Sequence, residues 1–294
     1  MSVLVWAMVW AGVVALVAGL VLVRGRFRAA AGADKLIVLG PVFEAVSLAI
    51  FAAEHFLAAK GMSGIVPKWL PGPMFWTYFF GVALAAAAIS LIVWRGVRWS
   101  AVGLALFFLL IVFTVDLPNL QKGLHDRFFW ILTVRETCFA GGAMVLAGHC
   151  MGPTRHCVEQ TRFAQVVGPV LVRVGRFIVG AAMVFYGIEH FFYPHNVPGV
   201  PLEKMTPGWI PGAVVIAYSV GAVLVVAGVA LLIGRKVRVA AASAGLVLVL
   251  FAAFFYLPIF LTEMHTQLAL EGMNYVGDTL LFGATVLLAG WGAE

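Results

Sequence analysis

The feature that most constrains this chain is a self-similarity, in which the few polar residues of an apolar sequence recur in the same order. Glu54-His55-Phe56 returns as Glu189-His190-Phe191, an offset of 135 residues. Motifs further along return at an offset of 140, and Glu136-Thr137 matches Asp278-Thr279 at 142. The step from 135 to 140 predicts a five-residue insertion in the second copy, around residues 194–204. Tandem duplication explains this ordered recurrence better than chance.

The composition indicates the solvent in which the chain folds. Hydrophobic residues make up 63% of it, charged residues 11%, and the mean hydropathy is +1.04. Soluble domains carry far more surface charge, so we predict an all-α, polytopic membrane helical bundle. Each crossing needs about 20 apolar residues. Nine spans are predicted, the first retained as a helix, at residues 2–23, 36–59, 73–94, 99–117, 128–148, 170–192, 213–233, 239–257 and 273–292.

Lysine and arginine are divided unevenly between the two sides of this bundle. If the N-terminus is outside, thirteen of them fall in inner connections and five in outer ones. Because inner loops are enriched in positive charge, we predict that the N-terminus is outside and the C-terminus inside, in a bacterial inner membrane. The sequence pI of about 9.5 then reflects topology and contact with the lipid bilayer, and no nucleic acid partner is expected.

Nine spans divide into one leading helix and two units of four. Since four is even, both units enter the membrane from the same side, which predicts parallel repeats about an axis along the membrane normal. The predicted segments are an N-terminal helix with a basic inner loop (1–30), a first four-helix repeat (31–150), an inner linker (151–169) and a second four-helix repeat (170–294). The recurring polar motifs of both units then lie at the outer end.

Ionisable residues in membrane spans are costly and usually mark a functional path, which makes the recurring polar residues candidate binding residues. The alternative is that they only join helices by hydrogen bonds. Arg135, which has no basic counterpart, either neutralises a carboxylate or anchors an anion. Whether the two halves form one shared site or two separate sites stays open. The candidates are Glu54, His55, Tyr78, His125 and Glu136 in the first half and Glu189, His190, Tyr218, His265 and Asp278 in the second.

Three kinds of cofactor suit histidine and carboxylate groups at this depth. A transition metal would take the imidazoles of His55, His125, His190 and His265. Haem b would need two histidines on facing helices and a large cavity. A quinone would need hydrogen bonds to its carbonyl oxygens and a carboxyl group to relay protons. The chain has neither a Cys-x-x-Cys pair nor a phosphate-binding or common hydrolase motif.

A family resemblance rests on three features of each half. These are the Glu-His-Phe tripeptide, a loop that reads Pro67-Lys68-Trp69-Leu70-Pro71-Gly72 in the first copy, and a proline, Pro118, that closes the third helix. With these features, residues 36–148 and again 170–292 resemble the DoxX-like membrane proteins. The resemblance implies a four-helix unit, which in some members is a subunit of a thiosulfate:quinone oxidoreductase. This chain departs from it by its duplication and its added first helix.

The sequence therefore favours a membrane redox subunit that interacts with quinone, or binds a metal or haem, near the outer face. It would act as an oxidoreductase component alongside other membrane redox subunits. One alternative is a small-molecule or proton-coupled transporter, in which the histidines and acids would bind protons or substrate. Another is a non-catalytic scaffold subunit of a membrane complex.

Overall fold

The fold is a bundle of long helices. The computed structural model describes residues 3–152, 162–200 and 204–292, and within those ranges it contains helices and turns but no strand. The helices are α1 (Val3–Ala29), α2 (Asp34–Ile37), α3 (Gly40–Leu57), α4 (Ala59–Met62), α5 (Pro73–Val93), α6 (Val97–Ile111), α7 (Leu117–Lys122), α8 (Arg127–Cys150), α9 (Arg162–Phe192), α10 (Ala213–Leu232), α11 (Val237–Phe251), α12 (Leu257–Glu263) and α13 (Ala269–Ala289).

Eight helical segments in the described part of the chain are long and apolar enough to cross a membrane, which confirms the prediction of a polytopic helical bundle. The ninth predicted span corresponds to α13, which has 21 residues and would reach about 31 Å at 1.5 Å per residue. It carries the polar residues Glu271, Asn274 and Asp278. Most of α13 is buried against other helices, where polar side chains can find partners.

The two halves pack together through their first and last long helices. In the first half α3, α5, α6 and α8 follow one another, and in the second half α9, α10, α11 and α13 do the same. Helix α8 packs against α9, α13 packs against α3, and α8 meets α13 at the centre, while α1 lies against α3. This reciprocal pairing is the one expected for parallel units. The duplication itself stays a prediction, and residues 153–161 of the proposed inner linker lie outside the described part of the chain.

Glycine allows the closest helix contact, between α8 and α9. A Cβ placed on Gly175 would lie 2.3 Å from the carbonyl oxygen of Gly141, and one on Gly148 would lie 2.4 Å from that of Gly168. Backbones approach this closely only where a side chain is absent, as is common in membrane helix pairs. The two halves are therefore held at a fixed distance by the backbone itself.

A local widening of the helix interrupts the third span of each half. Residues Val112–Asp116 form a π-helix between α6 and α7, and residues Ala252–Tyr256 do so between α11 and α12. Each is followed by a proline, Pro118 or Pro258, near the start of the next helix. A proline ring clashes with the carbonyl four residues earlier in a regular α-helix, and the wider turn relieves that clash. Such π-segments are frequent at functional sites.

Candidate functional site

The first half contains a cavity of about 460 Å³ near the end of the bundle where α3 meets α5. That volume lies within the range of small-molecule pockets, roughly 300–1,000 Å³. Its walls are mostly aromatic and aliphatic, and the connection between α4 and α5 covers one side with Trp69. Trp76, Phe80, Phe107 and Phe108 contribute rings from α5 and α6. Polar side chains from α3, the first π-helix, α8 and α13 complete the lining.

The charged part of this lining is organised by Arg135 on α8. Its Nη1 donates to Oδ2 of Asp278 at 2.7 Å, and its Nη2 and Nε donate to Oε1 of Glu136 at 3.0 and 3.2 Å. Arg135 thus neutralises the carboxylates that recur in both halves, which is the first of its two predicted roles. The two halves contribute to one charged cluster, because Glu136 belongs to the first and Asp278 to the second.

Two further carboxyl groups, those of Glu54 and Asp116, line the same cavity but are not hydrogen-bonded to Arg135. Oε1 of Glu54 accepts a hydrogen bond from Nδ2 of Asn274 on α13, at 3.0 Å. Asp116, at the end of the first π-helix, is 6% exposed. Among the described residues, neither Oδ2 of Asp116 nor Oδ1 of Asn274 has a hydrogen-bond partner. Buried polar atoms are normally paired, so these two atoms are exceptions in the lining of the cavity.

His55 presents one ring nitrogen to this cavity in a defined chemical state. Its Nδ1 lies 2.8 Å from the carbonyl oxygen of Phe51, one turn earlier on α3, and a carbonyl can only accept. The proton of the neutral imidazole therefore sits on Nδ1, which leaves Nε2 as an acceptor. Nε2 makes no hydrogen bond to another side chain or backbone group in the described part of the chain.

The corresponding place in the second half is filled by the protein itself. Nδ1 of His190 donates to the carbonyl of Tyr186, and Nε2 of His190 accepts a hydrogen bond from the backbone N–H of Gly199 at 2.9 Å. Gly199 belongs to residues 194–200, which we call the plug loop. Val197 and Val200 of this loop are fully buried. The carbonyl of Val200 accepts a hydrogen bond from Thr279 of α13 at 2.8 Å.

The plug loop coincides with most of the insertion expected around residues 194–204, whose residues 201–203 lie outside the described part of the chain. A short backbone pairing closes it, with Val197 N–H donating to Lys204 and Thr206 N–H donating to His195. Nζ of Lys204 then lies 2.5 Å from Oε1 of Glu263 at the end of α12. The described residues of the expected insertion thus pack inside the second half.

The other predicted site residues lie away from the cavity. Glu189 pairs with Arg127, whose Nε lies 2.5 Å from its Oε2, at the edge of the bundle. Tyr78 and Tyr218 are about two-fifths exposed and stack on the phenylalanines of the two Glu-His-Phe motifs, Phe56 and Phe191. The imidazoles of His125 and His265 are exposed in the outer connections.

The cavity offers little to a metal or to haem b. Among the described residues, no group of three or more His, Cys, Asp and Glu side chains is placed to hold a metal ion. The four candidate histidines are dispersed, since His55 lines the cavity, His190 is enclosed by backbone, and the other two are exposed. A haem held between two histidines would need a second one facing His55, and the cavity lining contains no other histidine among the described residues.

Two lining residues, Asp116 and Asn274, were not among the sequence candidates. Both lack a like residue in the other half, where Tyr256 stands at the position of Asp116. The candidates were chosen because they recur in both halves, so these two residues were missed. The signal that could have found Asp116 is its position as the acidic residue in an otherwise apolar span, just before a proline.

Comparisons with known proteins match two separate parts of the chain. Residues 44–127 match the model of a domain of unknown function (DUF8561), and residues 171–257 match the model of the DoxX family. Each match falls within one half and begins in its first long helix. No curated protein and no solved structure matches the chain significantly. The resemblance seen in the motifs is thereby confirmed for the second half, and the chain is an integral membrane protein with a DoxX-like segment at residues 171–257.

Proposed function

We propose that the cavity of the first half binds the ring of a quinone-class molecule, and that the chain is the quinone-binding subunit of a membrane oxidoreductase. The observation that carries this proposal is the combination of an aromatic wall with a polar floor. Phe107 and Phe108 supply flat apolar surface, and His55 and Asp116 supply hydrogen-bonding groups within the same enclosure. Aromatic rings stack well on such walls, while ring oxygens need polar partners.

The position of the cavity also suits a lipid-soluble ligand. It lies within the membrane-spanning part of the bundle and is bordered by partly exposed residues of α6 and its π-helix, including Thr114. A molecule carrying an isoprenoid tail could place its ring inside and leave the tail in the lipid. This arrangement favours a membrane-borne ligand over a water-soluble one.

The polar lining supports proton exchange as well as binding. A quinone takes up two electrons and two protons when it becomes a quinol, and the electrons would pass to or from a partner redox subunit. Imidazole and carboxyl groups within hydrogen-bond reach of a ring oxygen are suited to exchange those protons. His55 and Asp116 each have an atom without a hydrogen-bond partner in the described residues.

The test is direct binding of decylubiquinone to the purified chain in lipid nanodiscs. Trp69 and Trp76 line the cavity, so a bound quinone should quench their fluorescence in a saturable manner. Thr114→Trp places a bulky ring at the cavity wall and should weaken binding at least about tenfold, the effect of roughly 1.4 kcal/mol. Phe113→Trp is the matched control, since the Phe113 side chain lies next to Thr114 in the sequence, is 64% exposed and does not line the cavity.

Absence of saturable quenching in folded wild-type protein would refute quinone binding. The transporter and scaffold alternatives would then have to be tested in its place. Equal affinity in the Thr114→Trp and Phe113→Trp variants would move the binding site away from the cavity.

A further inference from the structure

We infer that the cavity of the first half selects the reduced, hydroxyl-bearing form of its ligand, with a ligand hydroxyl donating to Nε2 of His55. This inference rests on the proposed function and specifies which redox form the site prefers. Its starting point is a set of acceptor atoms in the cavity that have no hydrogen-bond partner. Acceptor atoms without a hydrogen-bond partner among the described lining residues include Nε2 of His55, Oδ2 of Asp116 and Oδ1 of Asn274.

Each of these atoms needs a donor. Nε2 of His55 is an acceptor because Nδ1 holds the proton against the Phe51 carbonyl. Oδ1 of Asn274 is an acceptor because Nδ2 of the same amide donates to Glu54. A carboxylate oxygen of Asp116 accepts as well. A quinone ring oxygen can only accept hydrogen bonds, whereas each hydroxyl of a quinol also donates one.

Several donors that line the cavity are already engaged. The Arg135 guanidinium is directed to Glu136 and Asp278, and the hydroxyl of Thr77 donates to the carbonyl of Pro73. A quinone carbonyl placed against Nε2 of His55 would meet an acceptor and would leave that nitrogen unpaired. An unpaired buried polar group costs more than the net gain of a typical hydrogen bond.

The second half contains an example of the contact that is inferred for the first. His55 and His190 have equivalent surroundings, since the Cβ of each packs on a glycine of the next long helix, Gly81 or Gly221. Each also has Nδ1 against the carbonyl four residues earlier. At His190, Nε2 is satisfied by an N–H donor, that of Gly199.

The plug loop thus stands where a ligand would stand in the first half. Beside Gly199 lie the Tyr256 ring, 3.2 Å from the position of an added Cβ, and the Thr279 side chain. Tyr256 ends the second π-helix, as Asp116 ends the first. The helix that carries the histidine, the π-helix and the last long helix therefore surround the plug loop in the second half and the cavity in the first. In the second half, the atom that meets the histidine is a hydrogen-bond donor.

The experiment compares the oxidised and reduced forms of one molecule. Decylubiquinone and, under anaerobic conditions, decylubiquinol are titrated by calorimetry against the full chain in nanodiscs. We expect the quinol to bind about tenfold more tightly, the effect of one well-formed hydrogen bond in place of an unpaired acceptor. His55→Leu should bring the ratio of the two affinities close to one. His125→Leu, at an exposed histidine of the same half, should leave the ratio unchanged.

Two further measurements keep the test independent of how well His55→Leu folds. Asp116→Asn offers an amide that can donate to a carbonyl, so it should shift the preference toward the quinone. Nitrogen-15 NMR of histidine-labelled wild-type protein should show a His55 ring protonated at Nδ1 and bare at Nε2. A His55 ring protonated at Nε2 would overturn the inference.

The outcomes separate this inference from the function on which it rests. If both forms bind with equal affinity, or the quinone binds more tightly, the quinone site stands and the preference for the reduced form is refuted. If neither form binds to folded protein, both the proposed function and the inference fail.

Discussion

Arg135 on α8 and Asp278 on α13 form a hydrogen-bonded ion pair of 2.7 Å between the two halves of the chain. Their side chains are 15% and 13% exposed, and Arg135 also holds Glu136. Because α8 and α13 meet at the centre of the bundle, this pair fixes the contact between the halves and at the same time forms part of the cavity lining.

Loss of the Arg135 charge should therefore destabilise the whole bundle. Arg135→Met leaves two largely buried carboxylates without a partner, and breaking such a pair typically costs about 3–5 kcal/mol. We expect a clear fall in the midpoint of thermal unfolding in detergent. Adding Glu136→Gln and Asp278→Asn to the same variant should recover part of the loss. An unchanged midpoint for Arg135→Met alone would show that the pair does not hold the halves together.

The plug loop should depend on the backbone freedom of Gly199. Its φ of +119° is one that other residues rarely adopt, and an added Cβ would lie 3.2 Å from the Tyr256 ring. Gly199→Ala should lower the free energy of unfolding by about 1–3 kcal/mol. Its effect is best read as faster proteolysis or hydrogen exchange of residues 194–200.

Gly208→Ala is the matched control for that experiment. Gly208 belongs to the same connection between α9 and α10, has no atom within 4 Å of an added Cβ, and is not among the residues with positive φ. Equal effects of the two substitutions would mean that the plug loop tolerates a side chain at Gly199.

The crossing of α8 and α9 should tolerate no side chain at Gly175. The added Cβ of Gly175→Ala would lie 2.3 Å from a backbone oxygen, so the helices must move apart, at a cost of about 1–3 kcal/mol. Gly103→Ala in α6 is the control, because nothing lies within 4 Å of its added Cβ. Alanine suits a helix interior better than glycine, so Gly103→Ala should be neutral or slightly stabilising in thermal unfolding.

The predicted orientation can be tested with single cysteines in a chain whose three native cysteines are replaced. Lys68→Cys lies in the connection expected outside and Lys236→Cys in one expected inside. An impermeant maleimide added to intact cells should label Lys68→Cys, and should label Lys236→Cys after the cells are opened. The reverse pattern would contradict an outside N-terminus.

The number and order of the helices were accessible from the sequence because twenty-residue apolar stretches have few alternatives in a membrane. The sequence also placed His55 and Glu136 at similar depth from the same end, and both side chains line the cavity. The difference between the open first half and the filled second half was not accessible from the sequence. It depends on how the inserted residues fold back onto His190, and the length of an insertion does not reveal its path.

Choosing candidates that recur in both halves also missed part of the polar lining, for a physical reason. The first half has an open cavity and the second half is filled, and the side chains at equivalent positions differ. Residues at such positions do not recur between the halves. Asp116 faces the open cavity, whereas Tyr256 contacts the plug loop. Asn274 reaches across from α13 to Glu54 of the other half, a contact that no local pattern indicates.

The plug loop makes the two halves of the chain unequal, and this inequality is built into one covalent chain. In an assembly of two identical subunits, one open and one closed site would exist only as a fluctuating equilibrium, and each subunit would exchange roles with its neighbour. Here residues 194–200 assign those roles permanently, because they belong to the second half and contact His190 directly. Substitutions in the second half can therefore alter how the bundle is held together without changing the chemistry that faces the open cavity.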